Sequence, residues 1–121
     1  MTKKEVTRVL SYANSYTRFP VFLALSIILK DKLYWYALRN AYANSDDLFK
    51  YKRHIKIAFL RPDEGKQYLM TLKERRFLDK LPEQITIYRG MTKIEQRSED
   101  FGISWSLKKE VALYFANGYK R

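Results

Sequence analysis

Over the first two thirds of this chain, apolar residues recur at helical spacing, and that periodicity constrains the fold more than any other feature. Val6, Val9, Leu10 and Ala13 follow the i, i+3, i+4, i+7 pattern of an amphipathic helix, predicting one over 3–14 with a stop at Asn14-Ser15. Thr17 to Pro20 reads as a cap with proline in the first turn. A second helix is expected over 21–29, continuing or restarting at Asp31 through Leu33, Trp35, Tyr36, Leu38 and Ala41. Tyr34, Trp35 and Tyr36 fall on mixed faces, which suits core plus interface better than a base-stacking platform. Turn and cap formers cluster at 44–47. Leu48, Tyr51, Ile55, Ala58 and Phe59 then resume the helical period until Arg61-Pro62-Asp63-Glu64-Gly65 breaks it. A further helix is expected over 66–79, with Tyr68, Leu69, Leu72 and Phe77 facing inward. Leu81-Pro82 ends it, because a residue before proline is pushed out of the helical region.

After Pro82 the period changes from helical to alternating. Residues 84–89 are β-branched and alternate, a strand signal, and Gly90 punctuates them. Residues 91–100 are polar and acidic and read as a loop. Residues 101–106 read as a second short strand, with Trp105 expected in the core. Ser106 then suits the N-cap of a helix over 107–115, with Gly118 as its stop. The chain has only four Gly and three Pro, too few turn formers for a many-stranded sandwich. The expected fold class is α+β: a mainly helical N-terminal bundle followed by a small strand–strand–helix unit. Its 121 residues suit a single domain, helical over 1–80, with the strand-bearing segment at 83–116.

Composition excludes several chemistries. Without cysteine there is no disulfide, thiol nucleophile or thiolate metal site, and His54 is the only histidine, so no metal is expected. His54 suits a surface or capping position better than a catalytic base. Glu74, Asp79 and Glu83 lie on different elements, so no paired-carboxylate hydrolase site suggests itself. The longest apolar stretch, 19–29, falls short of the roughly 20 residues a membrane span needs and suits a buried helix. Neither a membrane partner nor a targeting segment is expected, and the cytoplasm is the expected compartment.

The motifs after Pro82 carry a resemblance. Ile85-Thr86-Ile87-Tyr88-Arg89-Gly90, then Gly102-Ile103-Ser104-Trp105-Ser106, then Glu110-Val111-Ala112 and Phe115-Ala116, resemble ADP-ribosyltransferases of the Arg–Ser–Glu type. The likeness covers 83–116 and extends to small bacterial and phage proteins of this class. It implies that Arg89 clamps the NAD pyrophosphate, because a guanidinium is a rigid, permanently charged fork. It implies that Ser104 braces the nicotinamide ribose, with Ser106 beside it, and that Gly90 lets the backbone approach the nicotinamide amide. The family's third motif, a glutamate on a later strand, has no counterpart before Arg121. Glu99, Asp100 and Glu110 are the nearby carboxylates, and nothing in their spacing puts one at the ribose. Read without the resemblance, Arg89 is a surface strand residue paired with Glu83 or Glu99.

The formal charge is +11, from 24 Lys and Arg against 13 Asp and Glu, and residues 1–60 hold 11 of the basic groups against 4 of the acidic ones. Such a field attracts nucleic acid, anionic membranes or acidic protein surfaces. Lys50, Lys52, Arg53 and Lys56, interleaved with Tyr51 and His54, have the basic and aromatic mixture used on phosphate backbones; a solvated helix face is the plainer reading. Two functions follow as expectations. The first is a catalytically incomplete, transferase-derived protein that binds a charged partner. That partner would be an acidic protein surface or a nucleic-acid-containing complex, as for a phage-encoded inhibitor of host defence such as an anti-CRISPR, acting in the host cytoplasm. The alternative is an NAD-dependent mono-ADP-ribosyltransferase, or its leading fragment, completed by residues or a partner beyond position 121.

Overall fold

A computed structural model describes residues 1–117, and the expected stop at Gly118 lies outside them. The chain divides into two compact units, Met1–Asp79 and Lys80–Arg121.

The first unit is built from five α-helices: α1 (Lys3–Ser11), α2 (Arg18–Leu25), α3 (Asp31–Ala43), α4 (Lys52–Leu60) and α5 (Leu72–Asp79). Short 3-10 turns at Leu48–Tyr51 and Lys66–Leu69 precede the last two. α1 opens on a capping box, in which the Glu5 amide donates to Thr2 Oγ1 and the Thr2 amide to Glu5 Oε1, each at 3.2 Å. Its Val6 and Leu10 are buried, as the spacing requires. α3 is the central element. Tyr34, Trp35, Ala37, Leu38 and Ala41 are buried along it, and Phe19, Phe22, Leu29, Ile55 and Ala58 complete the core. Burying the larger of these side chains contributes about 1.5–3 kcal/mol each, and the alanines less, before ordering entropy is counted.

Two arginines close the helix ends of this unit. Arg18 donates to the carbonyls of Leu10 at 3.0 Å, Ala13 at 2.7 Å and Asn44 at 2.5 Å. These are C-terminal carbonyls or their neighbours, which a helix leaves without intrahelical partners. Arg61 does the same for the turn after α2, donating to Ser26 O at 2.7 Å and Leu29 O at 2.8 Å while lying over the Tyr34 ring.

Several expectations change here. The restart at Asp31 is observed, but the apolar stretch 19–29 is not buried throughout: only Phe19, Phe22 and Leu29 are buried, and Ile27 and Ile28 are exposed beyond the end of α2. The helix expected over 66–79 breaks at Met70-Thr71. There Thr71 and Glu74 form a reciprocal cap that starts α5 afresh. Of its four expected inward residues only Leu69 packs on the core, while Tyr68, Leu72 and Phe77 are exposed.

The second unit overturns the α+β assignment. Among its described residues there is no sheet and no strand–strand–helix unit. The two alternating segments meet in one isolated antiparallel bridge, Tyr88 with Ser106, whose amides and carbonyls exchange hydrogen bonds at 2.7 and 2.8 Å. A two-stranded ladder without a covering layer is marginal in water, and here the chain leaves it on both sides. The stretch 91–100, expected as a loop, holds α6 (Lys93–Ser98), opened by Thr92 Oγ1 accepting from the Glu95 amide at 3.1 Å. Trp105 is exposed, not core, and its Nε1 donates to Gly102 O at 3.1 Å. α7 (Lys109–Asn117) begins two residues later than expected. Ser106 still prepares it, its Oγ accepting from the Lys108 amide at 3.0 Å.

Candidate functional site

In the second unit, the residues carrying the transferase resemblance come together. Arg89 follows the bridge residue Tyr88, and its side chain is held at three points. Nε donates to Glu95 Oε2 at 2.6 Å, Nη2 to Glu95 Oε1 at 2.9 Å, and Nη1 to the Ser104 carbonyl at 2.8 Å. The first two make the bidentate fork that suits guanidinium and carboxylate. The pair is nearly dry, with side-chain exposures of 15% for Arg89 and 6% for Glu95. Glu95 is the only buried charged residue among those described.

The glycines explain how the clasp closes. A Cβ on Gly102 would lie 2.3 Å from Arg89 Nη2, so only a hydrogen lets the guanidinium seat there. A Cβ on Gly90 would lie 2.2 Å from Ala112 O and 2.6 Å from the Ala116 amide, so the space beside Gly90 is taken by the α7 backbone. Ser104 is exposed and Ser106 half-buried. The Ser104 carbonyl engages Arg89, and Ser106 forms the bridge. A dinucleotide clamp would therefore need Arg89 to exchange Glu95 for phosphate oxygens. The partner of Arg89 is neither Glu83 nor Glu99. Glu95 was legible only as the third residue after Thr92, a helix-start signature inside a stretch read as loop.

In the first unit, Lys50 lies in the 3-10 turn before α4, and Lys52, Arg53 and Lys56 lie on α4 itself. No acidic residue occurs anywhere in 48–60. Lys50 pairs loosely with Asp47 at 3.9 Å, an exposed contact of little energetic weight. Lys52 Nζ lies over the Phe49 ring and Lys50 Nζ over Tyr51. Arg53 and His54 are exposed.

Beside these groups lies a feature that sequence reasoning missed. A recess of about 510 Å³ opens between α2 and α4, floored by Phe22, Tyr34 and Ala58 and edged by His54, Ile57 and Leu60. Arg61 borders it, with its guanidinium engaged by Ser26 O, Leu29 O and Asp63 Oδ1. The Asp63 carboxyl is held below its ordinary range. Burial alone would raise it, and the Asp31 amide at 2.8 Å together with Arg61 at 2.6 Å outweighs that. Tyr34 moves the other way: burial raises its phenol, partly offset by Arg61. Among the described residues no three His, Asp or Glu side chains gather as a metal site, and no helix is long and apolar enough to cross a membrane.

No family model, no curated protein and no solved structure matches this chain.

Proposed function

We propose that this chain acts by binding an anionic macromolecule through the basic face around α4, and that Arg89 serves to fold the second unit. The observation carrying this reading is the engagement of Arg89: its fork grips a buried carboxylate at 2.6 and 2.9 Å instead of facing outward as an anion clamp. The charge of +11 and the acid-free segment 48–60 support an anionic partner, since a field of one sign raises association rates with the other. The transferase likeness is then ancestry, and the compartment this reading implies is the cytoplasm. An inhibitor of host defence carried by a phage is one role of this kind.

One observation favours the catalytic alternative, an NAD-dependent mono-ADP-ribosyltransferase. The Arg89 and Ser104 motifs, 15 residues apart, do converge, as an NAD site of that type requires.

Calorimetry with NAD, run beside heparin chromatography, separates the two. The binding reading expects no NAD heat at millimolar concentration, and heparin retention that falls steeply with salt and drops in a Lys50→Gln/Arg53→Gln variant. NAD binding that vanishes in Arg89→Ala would show instead that the clasp opens, and would hand the site to the transferase reading.

A further inference from the structure

We infer that the recess between α2 and α4 is a docking groove for the apolar face of an acidic amphipathic helix on a partner protein. This rests on the anionic-partner reading and narrows it to one class.

Shape comes first. Arg53, Ile57 and Leu60 stand at i, i+4 and i+7 on α4, with Ile57 64% and Leu60 77% exposed. Exposed apolar groups of this size are ordinary singly, but these two border an apolar recess. The stripe runs about 10 Å along the helix, the length over which a docked helix presents anchors at i, i+3, i+4 and i+7. A recess of about 510 Å³ has room for more than one large aliphatic side chain.

Charge selects the occupant. No carboxylate lines the recess, and α4, which forms one wall of it, carries Lys52, Arg53 and Lys56 and no acidic residue; the lining Arg61 is already paired with Asp63, so the attraction comes from α4. A second copy of this chain would bring another +11 and be repelled, whereas acidic residues flanking apolar anchors are attracted. Chemistry separates this from the other anionic classes. A bilayer takes a convex apolar face, but here the aliphatic groups rim a hollow. Single-stranded nucleic acid wants a row of exposed aromatic platforms, but Phe22 and Tyr34 are buried at the floor, His54 is the one exposed ring lining the recess, and exposed Phe49 is not among its lining residues.

The test measures anisotropy of a labelled helical peptide carrying Leu at i, i+3, i+4 and i+7 among Glu residues. Ile57→Ser/Leu60→Ser should weaken its binding about tenfold or more. Both side chains are exposed, so the fold should survive, and Phe77→Ser, an exposed change on α5, should leave binding unaltered. A peptide with Leu→Ser should also lose binding, and one with Glu→Gln should bind several-fold more weakly. Undiminished binding to Ile57→Ser/Leu60→Ser overturns the groove while the anionic-partner reading stands. Equal binding of the Glu→Gln peptide overturns the charge argument. Binding of an oligothymidylate but no peptide overturns this inference and moves the partner to nucleic acid; binding of neither, with no heparin retention, overturns both readings.

Discussion

Arg89 and Glu95 are six residues apart and form a two-point ion pair that is almost sealed from water, with Nε–Oε2 at 2.6 Å and Nη2–Oε1 at 2.9 Å. The pair ties the extended segment before Gly90 to α6. The third donor, Nη1, ties both to Ser104, across the bridge between Tyr88 and Ser106. One side chain therefore joins three segments of this unit. Ala112 and Glu95 are its only buried residues among those described.

Removing one partner should be worse than removing both. Arg89→Ala or Glu95→Ala strands a buried charge, a change that typically costs about 3–5 kcal/mol. The double variant Arg89→Met/Glu95→Leu should recover part of that loss, because no charge is left unpaired. The readout is amide exchange at Tyr88 and Ser106, whose hydrogen bonds exist only while the bridge is closed. Equal protection in all four proteins would show that the clasp does not hold the unit.

Gly90→Ala should also damage the unit, by a steric route. The added methyl would sit 2.2 Å from Ala112 O, a backbone atom with no rotamer to move, so α7 must shift as a whole. Overpacking of this kind costs about 1–3 kcal/mol, occasionally more. Limited proteolysis within α7 should accelerate in the variant. Gly102→Ala meets a side chain instead, but one fixed by three hydrogen bonds, so it should weaken the clasp without displacing α7.

Much of the first unit was legible because its helices bury one face each, and burial of one face writes a period into the sequence. Val6 and Leu10 on α1, and Ile55 and Ala58 on α4, lie where that period puts them. The period fails where burial fails: α5 has no buried residue, so Leu72 and Phe77 gave the same pattern without the same outcome. In the second unit, alternation over 84–89 said which side chains share a face, but not whether another strand would arrive to pair with them. The clasp was hidden because Arg89 and Glu95 find each other through a turn, which leaves no periodic trace. The recess was hidden because its edges come from α2 and α4, and single exposed residues such as Ile57 and Leu60 look ordinary in sequence.

The latch at the end of α4 should make the first unit sensitive to acid. Asp63 accepts from the Asp31 amide at 2.8 Å and from Arg61 Nε at 2.6 Å, and its carbonyl accepts from Trp35 Nε1 at 3.0 Å. Its folded pKa lies below the unfolded value, so the folded state prefers the ionised form. The resulting stabilisation is present above the unfolded carboxylate range, near pH 4, and is lost as pH falls through the depressed folded value. Glu74 shifts the same way, through the Thr71 amide and then Arg39, but it is half exposed and should contribute little. Asp63→Asn keeps the shape and an acceptor but removes the charge. It should destabilise the unit by about 1–3 kcal/mol at neutral pH, and its stability curve should be flatter than the native one between pH 5 and 3. Chemical denaturation followed by tryptophan fluorescence in a Trp105→Phe background, which leaves Trp35 as the single tryptophan, measures both when repeated across that range. Parallel curves for the two proteins would place the acid sensitivity elsewhere. A flattening confined to Asp63→Asn would assign it to the carboxylate that joins the start of α3 to the end of α4.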